Sequence, residues 1–133
     1  MRIVQASCYY PPHVGGVENH VKELANALSE AGNELKILTA DIPPMRDDHS
    51  MSKITRFRAI ELFPGYVPLI FGLSRVRDIE ADVFHSHCPP PFFSQALNKE
   101  NKHPHVITYH FDLEVPKRVG SLRIPAVLSL IHI

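Results

Sequence analysis

The first forty residues constrain this chain more than any other stretch. Ile3, Val4 and Ala6 lie in a short apolar run closed by a turn, the pattern of a buried strand. Pro11-Pro12 and Gly15-Gly16 break that run, since neither pair continues a strand. From Val17 the period changes. Val17, Val21, Leu24, Ala25 and Leu28 recur at i, i+4, i+7, i+8 and i+11 on one helical face, with Glu18, Lys22, Asn26 and Ser29 on the other. Gly32 stands where a left-handed stop is expected, and Leu35, Ile37 and Leu38 begin the next strand. Strand, glycine turn, helix, glycine stop and strand within about forty residues make a βαβ unit with a right-handed crossover and parallel strands.

The alternation continues. Residues 54–63 read as a mixed, arginine-rich strand at or near the sheet edge. Residues 68–80 read as a helix, with Leu69, Leu73, Val76 and Ile79 on one side and Pro68 in its first turn. Residues 82–87 form a strand ending in polar groups, 89–91 a proline loop, 92–102 a short helix and 105–109 a further strand. The order β-α-β-β-α-β-α-β predicts an α/β, Rossmann-like, doubly wound parallel sheet. In such sheets ligands gather past the carboxyl ends of the strands, where strand order reverses. That rule selects residues 8–16, 39–41, 87–91 and 110–112, where glycines and histidines concentrate.

The size of the chain, 133 residues, fits one hydrophobic core. Its 14 basic and 14 acidic residues balance, which argues against nucleic acid as a partner. Cys8 and Cys88 are too few for a disulfide framework and read as buried free thiols. With no apolar leader after Met1 and no span of about 20 apolar residues, the expected location is cytoplasmic. Residues 128–133 match one reading frame of a common transposon-end adapter and are expected to be a non-native tail, leaving 1–127 as the domain.

Several groups could carry chemistry. Gly15-Gly16 opens a helix, where free N–H groups and the helix dipole suit a phosphate; a plain tight turn fits equally well. Neither G-x-G-x-x-G nor the Walker spacing is present, which disfavours a nicotinamide-dependent oxidoreductase. His85 and His87 share one face of a strand, as two metal ligands would, but no third ligand has a recognisable spacing, so no metal is expected. His103 and His105 lie at the opposite end of a strand and are expected to be solvated. His110 ends the last clear strand, where it could donate to a sugar hydroxyl or phosphate or act as a base, with Asp112 orienting it; a capped strand end fits comparably well.

Three segments together, residues 9–21, 82–87 and 106–110, resemble family four of the glycosyltransferases over residues 1 to about 112. The resemblance implies the N-terminal, acceptor-side half of a GT-B fold, with the C-terminal donor-binding domain absent from this chain. It implies transfer of a sugar from a nucleotide-diphosphate sugar, with retention of configuration and without a metal ion or other cofactor. By that resemblance Gly15 and Gly16 meet the donor diphosphate, His110 is catalytic beside the transferred sugar, and Glu18, His87 and Asp112 line the acceptor side. Phe111 departs from the glycine common at that position. The acceptor is a sugar, or a lipid or glycolipid. In the latter case Lys53, Arg56, Arg58, Arg75 and Arg77 around the apolar stretch 67–71 suit peripheral docking on an anionic membrane at its inner face; a solvated helix face is the simpler account. Two other functions fit the same architecture: a sugar-nucleotide epimerase, and a non-catalytic Rossmann-like binding module.

Overall fold

A computed structural model describes residues 1–44, 53–61, 68–99 and 103–110, together with the backbone of two short strand pieces, Arg118–Val119 and Leu122–Arg123. The remaining residues are not described, among them Asp112 and the expected non-native tail.

The βαβ unit is present as read. Strand β1 (Arg2–Ala6) leads through a turn to helix α1 (Gly16–Glu30), which returns to β2 (Glu34–Ala40). Gly32 stops the helix with φ +84, a left-handed conformation that costs an L residue steric strain. Further along come β3 (Ile54–Phe57), β4 (Ala59–Glu61), β5 (Pro68–Ile70), a 3-10 helix (Leu73–Asp78), β6 (Val83–Cys88), α2 (Phe92–Lys99) and β7 (His105–Tyr109). Five strands form one sheet in the order β3-β2-β1-β6-β7, and every pairing in it is parallel. Strand order reverses between β1 and β6, and in sheets of this kind ligands gather past the carboxyl ends of the strands at such a reversal.

Two elements differ from the sequence reading. Residues 54–63 do not make one strand: β3 lies at the sheet edge, while β4 leaves it to pair antiparallel with β5. Residues 68–80 do not make one helix. Pro68 and Ile70 are buried in β5 with Leu69 exposed between them, and only Leu73–Asp78 turns, as a 3-10 helix. The period-two burial of this stretch won over its coincidental helical spacing, because the β4 edge offers hydrogen bonds that a short isolated helix would have to find in itself.

The helices cover opposite faces. Val21 and Ala25 of α1 pack on Ile37, together with Tyr10, whereas Phe93 and Leu97 of α2 pack with Val4, Ala6, Leu38 and Phe57 on the other face. Phe57 and Phe93 are each 1% exposed and meet edge to face at 5.5 Å. Each such side chain stabilises the fold by about 1.5–3 kcal/mol through burial.

Candidate functional site

The loop after β1 is held from within. Glu18, in the first turn of α1, is 5% exposed, and its carboxylate pairs with Nδ1 of His13 at 2.7 Å. His13 also stacks on Tyr9 at 4.3 Å, and the Tyr9 hydroxyl donates to Glu61 at 3.2 Å. A guanidinium N–H of Arg56 donates to the carbonyl of Pro11 at 2.7 Å. Gly15 leaves the space that Glu18 fills: a Cβ there would overlap Oε2 of Glu18 and force that side chain to shift. Gly16 is different, because a Cβ there would meet nothing within 4 Å. Among the described residues no side chain caps α1, which leaves its first amides to water or a ligand. Of the sequence-derived site residues, Gly16 therefore faces open space, while Glu18 is turned into the loop that carries it.

The histidines assemble across the strand-order reversal. His85 and His87 share the α1 side of β6, with ring centroids 4.4 Å apart. Thr108 of β7 shares a 2.7 Å hydrogen bond with Nε2 of His85. The amide of His110 donates to the carbonyl of Cys88 at 2.9 Å, which pins His110 beside β6. His87 Nδ1 and His110 Nε2 then share one proton across 3.0 Å. His20 stands over both from α1, its ring centroid 5.8 Å from that of His87 and 5.2 Å from that of His110. His87 is 2% exposed, and its Nε2 has no hydrogen-bond partner among the described residues.

Burial disfavours the charged imidazolium throughout this group. Burial first, and the neighbouring imidazoles His85, His110 and His20 after it, push His87 down to about 3. Burial and then His20 lower His110, and burial with the adjacent histidines lowers His85. At neutral pH these rings are neutral, able to donate from one nitrogen and accept at the other.

Two histidines depart from the sequence reading. His105 is not simply solvated: its Nε2 bonds the Ser86 hydroxyl at 2.8 Å, and that hydroxyl also bonds Ser94 on α2 at 2.8 Å. His20 carries no site signal of its own in the sequence, yet it joins the cluster. Its signal lay in combining two rules, that ligands gather at strand carboxyl ends and that the first turns of the following helix face the same edge. Asp112 falls outside the described residues.

The basic cluster is partly engaged inward. Arg56 is tied to Pro11, and the Arg75 guanidinium lies 5.0 Å over the Phe57 ring. Val76 is buried and Leu73 packs on the core, but Ile60, Leu69 and Phe71 are exposed, as are Lys53, Arg58 and Arg77. No helix among the described residues is long and apolar enough to cross a membrane.

Residues 14–131 match Glycosyltransferase Family 4. Over 70 residues the chain is 40% identical to an uncharacterized glycosyltransferase of Methanocaldococcus jannaschii, an overlap of 49% of this chain and 18% of that protein. The chain thus spans about a fifth of the length of this relative.

Proposed function

Because the chain belongs to glycosyltransferase family 4, we propose that it supplies the acceptor-side wall of a two-domain transferase that moves a sugar from a nucleotide-diphosphate sugar to an acceptor with retention of configuration. The domain is Rossmann-like, as an N-terminal GT-B domain is, and family membership favours transfer over epimerisation or mere binding. One observation carries the reading. The open glycine at the start of α1, and the neutral His87 of β6 and His110 just after β7, lie at the carboxyl edge where strand order reverses.

The division of labour follows from the geometry. The amides opening α1 and the helix dipole stabilise the leaving diphosphate. Gly16 keeps that approach free of side chain, and Gly15, Glu18 and His13 hold the turn in shape. His110, fixed by His87 and by the Cys88 carbonyl, offers its other ring nitrogen to a hydroxyl of the transferred sugar. Buried His87 serves by orienting His110 on the acceptor side. Asp112 is assigned to the acceptor by resemblance alone. The donor-gripping half of the cleft belongs to a second domain, so this chain by itself is expected to turn over no sugar nucleotide. The test is the complete enzyme with nucleotide-diphosphate sugars as donors. Gly16→Val should abolish transfer while circular dichroism and melting stay near the parent; parental activity in that variant would reduce the turn to a structural one.

A second partner, an anionic membrane surface, is favoured by exposed Ile60, Leu69 and Phe71 at β4, β5 and its exit. With Lys53, Arg58 and Arg77 also exposed, they suit peripheral contact at the cytoplasmic face, where each basic side chain is worth about 1 kcal/mol. A lipid or glycolipid acceptor would make such contact productive. Co-sedimentation with anionic vesicles that is lost at high salt and weakened by Leu69→Ser and Phe71→Ser supports it. Absence of binding to any vesicle leaves a soluble acceptor.

A further inference from the structure

Sequence spacing offered no third ligand beside His85 and His87, but the fold brings other histidines to β6 from a distance. His20 comes from α1, His87 from the end of β6 and His110 from the residue after β7, and one ligand nitrogen from each lies within 4.8 Å of the others. We propose that His20, His87 and His110 bind a divalent transition metal of the zinc class, a site that goes beyond the transfer reading above.

The donor set decides the class of ion. Three imidazole nitrogens with no carboxylate among them suit zinc, copper, nickel or cobalt and do not suit magnesium or calcium, which take oxygen. Three protein ligands also leave a tetrahedral ion one open position for water or a small anion. Zinc–nitrogen bonds of about 2.0–2.1 Å place two tetrahedral ligands about 3.4 Å apart. His87 Nδ1 and His110 Nε2 already stand 3.0 Å apart, so an ion entering between them replaces one shared proton with little movement. His20 is the ring that has to close in, and it is an exposed side chain on a helix surface.

His87 is almost wholly buried, and the proton it shares with His110 satisfies its Nδ1. An ion taken there in place of that proton keeps Nδ1 satisfied and leaves Nε2 as it stands, without a partner among the described residues. Backbone order supports the site as well, since the amide of His110 is tied to Cys88 and so keeps its place with or without an ion.

If the transfer reading holds, an ion at His110 Nε2 displaces the proton that His87 uses to orient the ring and fixes the other nitrogen, the one offered to the sugar, as a donor only, so ion binding and the sugar contact oppose each other. The ion is then an inhibitor of transfer.

The experiment uses chelator-stripped protein titrated with zinc and, separately, with cobalt(II). The readouts are metal content after dialysis, heat of binding, and the visible d–d absorption of cobalt, none of which depends on transfer. One equivalent per chain is expected, with a tetrahedral cobalt spectrum. His20→Ala, exposed and outside the proposed catalytic machinery, should weaken binding at least about tenfold, while His13→Ala leaves it unchanged. Magnesium should not compete. No stoichiometric binding, or binding indifferent to His20→Ala, would overturn the site whatever the activity of the enzyme. In the complete enzyme zinc should lower transfer, and His20→Ala should remove that sensitivity. Zinc-stimulated transfer would overturn the competition while leaving the site.

Discussion

Gly15 and Gly16 are neighbours of the same type, and their substitution by alanine should have opposite consequences. At Gly15 the backbone is extended, with φ −172, so alanine carries no conformational strain there. The whole effect lies in the new Cβ, which would overlap Oε2 of Glu18 and stand 2.9 Å from its Cδ and 3.0 Å from its Oε1. Glu18 is flexible and can swing away, but doing so removes a buried carboxylate from its 2.7 Å pairing with His13. Hydrogen bonds to charged groups contribute about 1.5–3 kcal/mol, and that is the expected loss for Gly15→Ala. For a domain of this size it corresponds to a fall in Tm of about 5–12 °C. At Gly16 the Cβ meets nothing within 4 Å and enters the first helical position, so Gly16→Ala should leave Tm unchanged or raise it slightly. The assay is thermal and urea unfolding of the parent, both single variants, Glu18→Ala, and the double variant Gly15→Ala/Glu18→Ala. In the Glu18→Ala background the Gly15→Ala penalty should vanish, giving a coupling of about 1 kcal/mol or more. A Gly15→Ala variant that melts with the parent, or a penalty that persists without Glu18, would refute the packing account.

Three further outcomes follow from the same geometry. His110→Ala in the complete enzyme should lower turnover on the order of a hundredfold if the ring supplies hydrogen bonding in the transition state, and a near-parental rate would remove it from the chemistry. Burial, with Cys88 beside it, pushes the Cys8 thiol well above its ordinary range, and burial raises Cys88 too; both should resist a thiol reagent at mildly alkaline pH and react once the chain is unfolded. Burial lowers His105 below 6.5, so its neutral form is favoured in the folded protein. Its contribution is present above about pH 6.5 and is lost as pH falls through the folded value, because the unfolded chain then binds the extra proton. Urea midpoints measured across that window should fall less steeply with acid in His105→Gln, and identical slopes would contradict the assignment.

Local pattern alone determined the opening of this protein. The run at Ile3 and Val4, the helical spacing from Val17 to Leu28 and the stop at Gly32 each reflect forces acting within a few residues, and the structure repeats them with little change. Those elements force a parallel sheet, and the sheet in turn dictates which loops share its carboxyl edge, so the placement of Gly16, His87 and His110 at that edge could be read from the sequence. Residues 68–80 could not be settled that way. Leu69, Leu73 and Val76 fit a helix on paper, yet the antiparallel partner that made Pro68–Ile70 a strand lies at Ala59–Glu61, and no local signal carries that pairing. Glu18 shows the same limit from the other side. Its position on the polar helix face suggested an outward role, but the missing side chain at Gly15 opens the space its carboxylate fills beside His13. The histidine cluster belongs to tertiary structure altogether. His20 is separated from His87 and His110 by most of the sheet, and only the right-handed crossovers that place α1 over the end of β6 turn three scattered imidazoles into one set of ligand atoms.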